Sequence, residues 1–100
     1  MSDNPAIIDN TAENRLEIDV GHARAELVYR AVRGRLVIVH TGVPDELAGS
    51  GLGGKLVAAA VEKAIAEGLT VVPSCAFAAS WLRKHPDVAT KVPIDWSQKR

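Results

Sequence analysis

The hydrophobic period of this chain changes once, and that change constrains the fold more than any other feature. Up to residue 40 apolar side chains recur at every second position. Leu16, Ile18 and Val20 alternate with Arg15, Glu17 and Asp19, and Ala25, Leu27 and Tyr29 alternate with Arg24, Glu26 and Arg30. That rhythm describes antiparallel strands with one packed face and one solvated face. From Leu52 the period becomes helical, with Leu56, Ala60 and Ala64 in one row and Val57, Val61 and Ile65 in the next. Neither pattern suits the other element, so a sheet is built first and helices pack on it: an α+β (mixed α/β) domain.

Turn residues mark the joints. Gly21 and Gly34 separate the strand candidates, giving a meander from about Glu13 to His40, preceded by a shorter strand around Ala6–Asp9. Leu36 to His40 is apolar on both faces, which predicts a central strand covered above and below. Gly68 and Leu69 end the first helix in the manner of a left-handed cap. Thr70-Val71-Val72-Pro73 reads as a strand, and Ala76 to Lys84 as a second helix that stops at His85, before Pro86. A short frayed start and the polar end Ser97-Gln98-Lys99-Arg100 flank this core.

With 100 residues the chain has material for one core, and the reading is a single domain over 1–100. Its 12 basic and 12 acidic side chains cancel, so no cationic surplus points to nucleic acid. No apolar run approaches the roughly 20 residues of a membrane helix. The start, Met1-Ser2-Asp3-Asn4-Pro5, lacks a signal pattern, and the expected location is cytoplasmic. The lone Cys75 has no disulfide partner within the chain. His22, His40, His85 and Cys75 form no close-spaced ligand pair, so no metal site is expected.

Chemistry concentrates in Ala48-Gly49-Ser50-Gly51-Leu52-Gly53-Gly54, where the sheet hands over to the first helix. Glycines there let a ligand approach the backbone, and a helix N-terminus offers unpaired N–H groups to a phosphate. The spacing is neither G-x-G-x-x-G nor a Walker loop, since Lys55 is followed by Leu56. Taken alone, the stretch equally fits a turn with close helix packing. Phe77 and Trp81, four apart, are expected to pack together on the core, with one wall of a ligand cleft as the other option.

Four motifs in one order, His40-Thr41-Gly42-Val43-Pro44, Gly49-Ser50-Gly51-Leu52-Gly53, Val72-Pro73-Ser74-Cys75-Ala76-Phe77 and Arg83-Lys84-His85-Pro86, resemble the minimal N-acetyltransferase-like proteins of the GNAT superfamily. The likeness runs from about Glu13 to Val92. It implies a GNAT fold with splayed central strands and acetyl-CoA (coenzyme A) in the cleft. Its pyrophosphate would meet the backbone of Gly49, Ser50, Gly51, Leu52, Gly53 and Gly54, and its pantetheine arm would run beside Thr41, Gly42 and Val43, with Cys75 beside the thiol end and Phe77 among the cofactor-binding residues. The family's Gln/Arg-x-x-Gly-x-Gly/Ala loop maps onto Ala48, Gly51 and Gly53, so its first polar side chain is missing at Ala48. Many relatives carry Glu where this chain has Gly42.

Two residues are catalytic candidates. A histidine ending an apolar strand is commonly structural, but its motif position makes His40 a candidate base for an incoming amine. A lone cysteine is commonly a small buried hydrophobe. By resemblance Cys75 would instead protonate the departing thiolate or accept the acetyl group itself. The implied function is acetyl transfer from acetyl-CoA to an amine on a peptide, a protein lysine or a polyamine. The alternative is a non-catalytic CoA-binding or regulatory module. The expected assembly is a monomer or weak homodimer.

Overall fold

A computed structural model describes residues 6–96, so the expected frayed start and the polar end at Ser97 to Arg100 lie outside the described residues. Four strands, β1 (Ile7–Asn10), β2 (Arg15–Val20), β3 (Ala23–Val32) and β4 (Arg35–Gly42), form an antiparallel meander. Helix α1 (Leu52–Glu67) then crosses over to β5 (Thr70–Pro73), which pairs parallel to β4 and completes the sheet order β1-β2-β3-β4-β5. Helix α2 (Ala76–Lys84) follows. The fold is therefore the expected α+β, with β1 one residue later than its sequence pattern suggests.

The alternation dictates which face is packed. Leu16, Ile18, Leu27, Leu36 and Ile38 bury against Leu56, Val57, Ala60, Val61 and Ala64 of α1. Each fully buried side chain of this size contributes about 1.5–3 kcal/mol. Gly68, at φ 69°, closes α1 in the left-handed cap, its N–H reaching the carbonyls of Ala64 and Ile65.

Three features depart from the sequence pattern. The opposite face of β4 is open to solvent, with Val39 43% exposed, so β4 is covered on one side and not on both. Glu17, assigned by alternation to a solvated face, is only 4% exposed. Arg15 Nε (2.8 Å), Arg24 Nη1 (3.6 Å) and Asn10 Nδ2 (3.2 Å) close over its carboxylate. The Arg15 hydrogen bond, outweighing burial and helped by Asn10 and Arg24, holds that carboxyl below the ordinary glutamate value. Third, a short helix α3 (Pro86–Ala89) follows α2, and beyond it an isolated parallel bridge between Val71 and Ile94 covers part of the outer edge of β5.

One polar cluster ties β1 to the rest. Tyr29 Oη donates to Asp9 Oδ1 at 2.6 Å, and Lys63 Nζ donates to Asp9 Oδ2 and Glu67 Oε2, both at 2.8 Å. Burial pushes the Asp9 carboxyl up, but the hydrogen bonds from Lys63 and Tyr29 prevail and leave it below 3.8. Burial and the Asp9 bond push the Tyr29 phenol up to about 12. Since the folded-state Asp9 value is depressed, its contribution to stability is present above 3.8 and is lost as pH falls through the folded value. Asp9→Asn should therefore lower stability at neutral pH and flatten its acid limb. Denaturant melts from pH 7 to 2 check this, and parallel limbs for both proteins would refute it.

Candidate active site

The site begins where β5 leaves β4. Their pairing runs from Arg35↔Thr70 to Ile38↔Pro73 and stops, while β4 continues along β3 as far as Gly42↔Glu26. The last residues of β4 thus have no neighbour strand on one side, and the sheet splays open there.

A bulge decides what each of those residues faces. Val28 pairs with His40 but Tyr29 pairs with Ile38, which leaves Val39 as the extra residue. The alternation flips across it. Thr41 now lies opposite the buried Leu27 and shares the helix-side face, whereas His40 and Gly42, opposite Val28 and Glu26, turn to the open face. A Cβ on Gly42 would sit 3.1 Å from His40 Nε2 and 3.8 Å from Glu26 Cγ, so the missing side chain leaves room for the imidazole. Near it, Arg15 Nε is 3.7 Å from Glu26 Oε1.

On the helix side the splay opens into a cleft of about 460 Å³. A 3-10 turn over Asp45–Leu47 brings the chain to the glycine loop, and Gly49 (φ 82°) and Gly51 (φ 83°) take left-handed conformations with open space where a Cβ would stand. Gly51 is the N-cap of α1, and no side chain caps the helix's first turn. Its first amides thus keep their donor capacity at the head of the helix dipole. Gly53 and Gly54 serve a different purpose. A Cβ on Gly53 would lie 2.8 Å from Phe77 Cζ, and one on Gly54 would overlap Trp81 Nε1.

The glycines therefore divide by role: Gly49 and Gly51 take left-handed conformations beside open space, and Gly53 and Gly54 make room for packed aromatic rings. Of the two options for Phe77 and Trp81, the cleft wall holds for both rings, and Trp81 also packs against the core while Phe77 does not. Phe77 is 45% exposed, and both rings line the cleft with Thr41, Val43, Ala48 and the glycines. Trp81 is braced from behind by His85, whose ring stacks on it at 3.9 Å and whose Nδ1 lies 2.7 Å from the Trp81 carbonyl.

Two other members of the candidate set turn away. Leu52 is buried in the core, leaving only its backbone at the helix mouth, and Ser50 Oγ donates to the Leu47 carbonyl within the loop. Cys75, the N-cap of α2, is half-buried and donates from Sγ to Thr41 Oγ1 at 3.6 Å across the throat of the splay. The sheet thus separates the two catalytic candidates: Cys75 with Thr41 on the helix side, His40 on the open side. The side chains lining the cleft are all uncharged. Trp81 was the wall residue absent from the candidate set, and the signal for it was its helical spacing from Phe77.

A mixed sheet splayed beside an uncapped, glycine-led helix is an α+β architecture with a cleft at the splay, and the comparisons say which family it is. The model of the GCN5-related N-acetyl-transferase family matches residues 15–92, and the chain belongs to that family. It is also similar to the solution structure of a GCN5-like protein from Staphylococcus aureus provisionally assigned as an N-acetyltransferase. That protein is 35% identical, with 99% of each chain covered and a TM-score of 0.69. No curated protein matches the chain. Among the described residues no helix is long and apolar enough to cross a membrane.

Proposed function

We propose that the chain transfers the acetyl group of acetyl-CoA to an amine acceptor, the donor entering from the helix side of the splay and the acceptor from the open face. The uncapped first turn of α1 behind two left-handed glycines carries this reading, because it is a built anion cradle opening into a largely apolar cleft. Those features fit a pyrophosphate followed by a pantetheine arm. Bound acetyl-CoA supplies an activated thioester.

The chain's own residues then have separable tasks. The amides from Leu52 onward hold phosphate oxygens, Phe77 and Trp81 exclude water from the arm, and the Thr41 hydroxyl orients the Cys75 thiol. Cys75 holds a proton at Sγ for the departing sulfur. His40, exposed beside Gly42, takes a proton from the acceptor amine, which attacks only when neutral. Among the described residues no helix covers the open face around His40, which suits an extended acceptor such as a peptide, a protein lysine or a polyamine.

Calorimetric titration with acetyl-CoA tests the donor half, followed by an amine screen for the acceptor. Gly51→Asn keeps a residue type that tolerates the left-handed conformation but adds a side chain at the cradle's lip. Its affinity for acetyl-CoA should fall about tenfold, a difference of about 1.4 kcal/mol. No heat with the wild type, or equal affinity in the variant, would overturn the cradle.

A further inference from the structure

The far end of the β3–β4 hairpin carries a second concave surface. It has a volume of about 450 Å³ and is lined by Arg30, Val32, Arg33, Arg35 and Val37. It lies on the open face of the sheet. Arg30 pairs with Val37 and Val32 with Arg35, so the four side chains form a lattice with guanidiniums on one diagonal and valines on the other. The third guanidinium comes from the turn.

That turn is unusual. Arg33 (φ 52°) and Gly34 (φ 77°) form a two-residue loop with both residues left-handed, where the first position is ordinarily Asn, Asp or Gly. An arginine there carries a backbone cost and places a cation at the hairpin tip. Charge is unbalanced locally although the chain is neutral overall. Asp95 approaches Arg35 Nη1 at 3.6 Å, and among the described residues no acid pairs with Arg30 or Arg33.

We propose that this hairpin face binds a phosphate monoester. Three guanidiniums against one carboxylate leave a patch of about +2, which matches the charge of about −1.5 to −2 on a phosphate ester at neutral pH. Guanidinium forks also suit its paired oxygens. The exposed Val32 and half-buried Val37 give the diagonal an apolar floor for the stem that bears the phosphate. The site is separate from the glycine cradle. The Gly34 carbonyl accepts from Thr70 N, just past the C-terminal end of α1, while the cradle sits at its N-terminal end, 16 residues or about 24 Å away.

Nuclear magnetic resonance titration of the full chain tests this, using inorganic phosphate, phosphoserine and a phosphoserine peptide, with sodium chloride at matched ionic strength as control. Saturable shifts should appear at Arg30, Arg33, Arg35 and Val37 and vanish in Arg30→Gln/Arg33→Asn, whose affinity for acetyl-CoA stays unchanged. Tighter binding of the peptide than of phosphoserine would identify a phosphorylated protein as the source, and equal binding a small phosphate ester. Arg33→Asn alone should weaken phosphate binding several-fold without lowering thermal stability. Shifts reproduced by chloride, confined to Gly51–Lys55, or undiminished in the double variant would each overturn the site.

Discussion

Gly54→Ala should destabilise the fold by about 1–3 kcal/mol through overpacking, although alanine in a helix interior is worth about 1 kcal/mol more than glycine. The two effects oppose each other, and geometry decides between them. The added methyl would overlap Trp81 Nε1 and lie 3.0 Å from its Cε2, so the indole must move. It has little freedom to do so, since its ring stacks on His85 and its helix is anchored by the buried Ala78 and Leu82. The indole lines the cleft, so a variant that displaces it should also bind acetyl-CoA more weakly. Trp81→Leu in the same chain should recover part of the lost stability, making the double variant less damaged than the sum of the singles. Chemical denaturation of the four proteins measures this directly. A Gly54→Ala protein as stable as the wild type would show that the ring does not seal against α1.

The sheet and both main helices were legible because each follows one period without interruption. Leu16, Ile18, Leu27 and Ile38 alternate, and Leu56, Ala60 and Ala64 recur at helical spacing, with glycines at the turns. What the pattern could not reveal was the bulge at Val39, which has no glycine or proline to mark it. It reverses the facing of His40 and Thr41, and thereby the division of the candidate site between two sides of the sheet. Glu17 was hidden for a related reason. Alternation reports which face a residue takes, but its burial comes from Arg15 and Arg24 folding over it, and long cationic side chains leave no period. The glycine loop was legible as a place and ambiguous in purpose. Only the packing of Phe77 and Trp81 separates Gly53 and Gly54 from Gly49 and Gly51.

Cys75→Ala should lower kcat for acetyl transfer by about 10²-fold or more, the usual scale for losing a positioned proton donor, while affinity for acetyl-CoA changes little. The thiol donates to Thr41 Oγ1, which holds its proton at the splay, where the proposed transfer would release sulfur. We take the donor role, which this hydrogen bond suits, as the one to test against an acetylated cysteine. Cys75→Ser, which keeps an O–H in place of S–H, should retain more activity than Cys75→Ala, and Thr41→Val should reduce turnover by releasing the thiol's orientation. Intact-mass spectrometry during turnover separates the two chemistries: the donor role leaves Cys75 unmodified, and an acetyl adduct on Cys75 that forms and decays at the rate of turnover would assign it as the nucleophile. An undiminished kcat in Cys75→Ala would remove the residue from the chemistry and leave His40, on the far side of the sheet, as the remaining candidate for proton transfer.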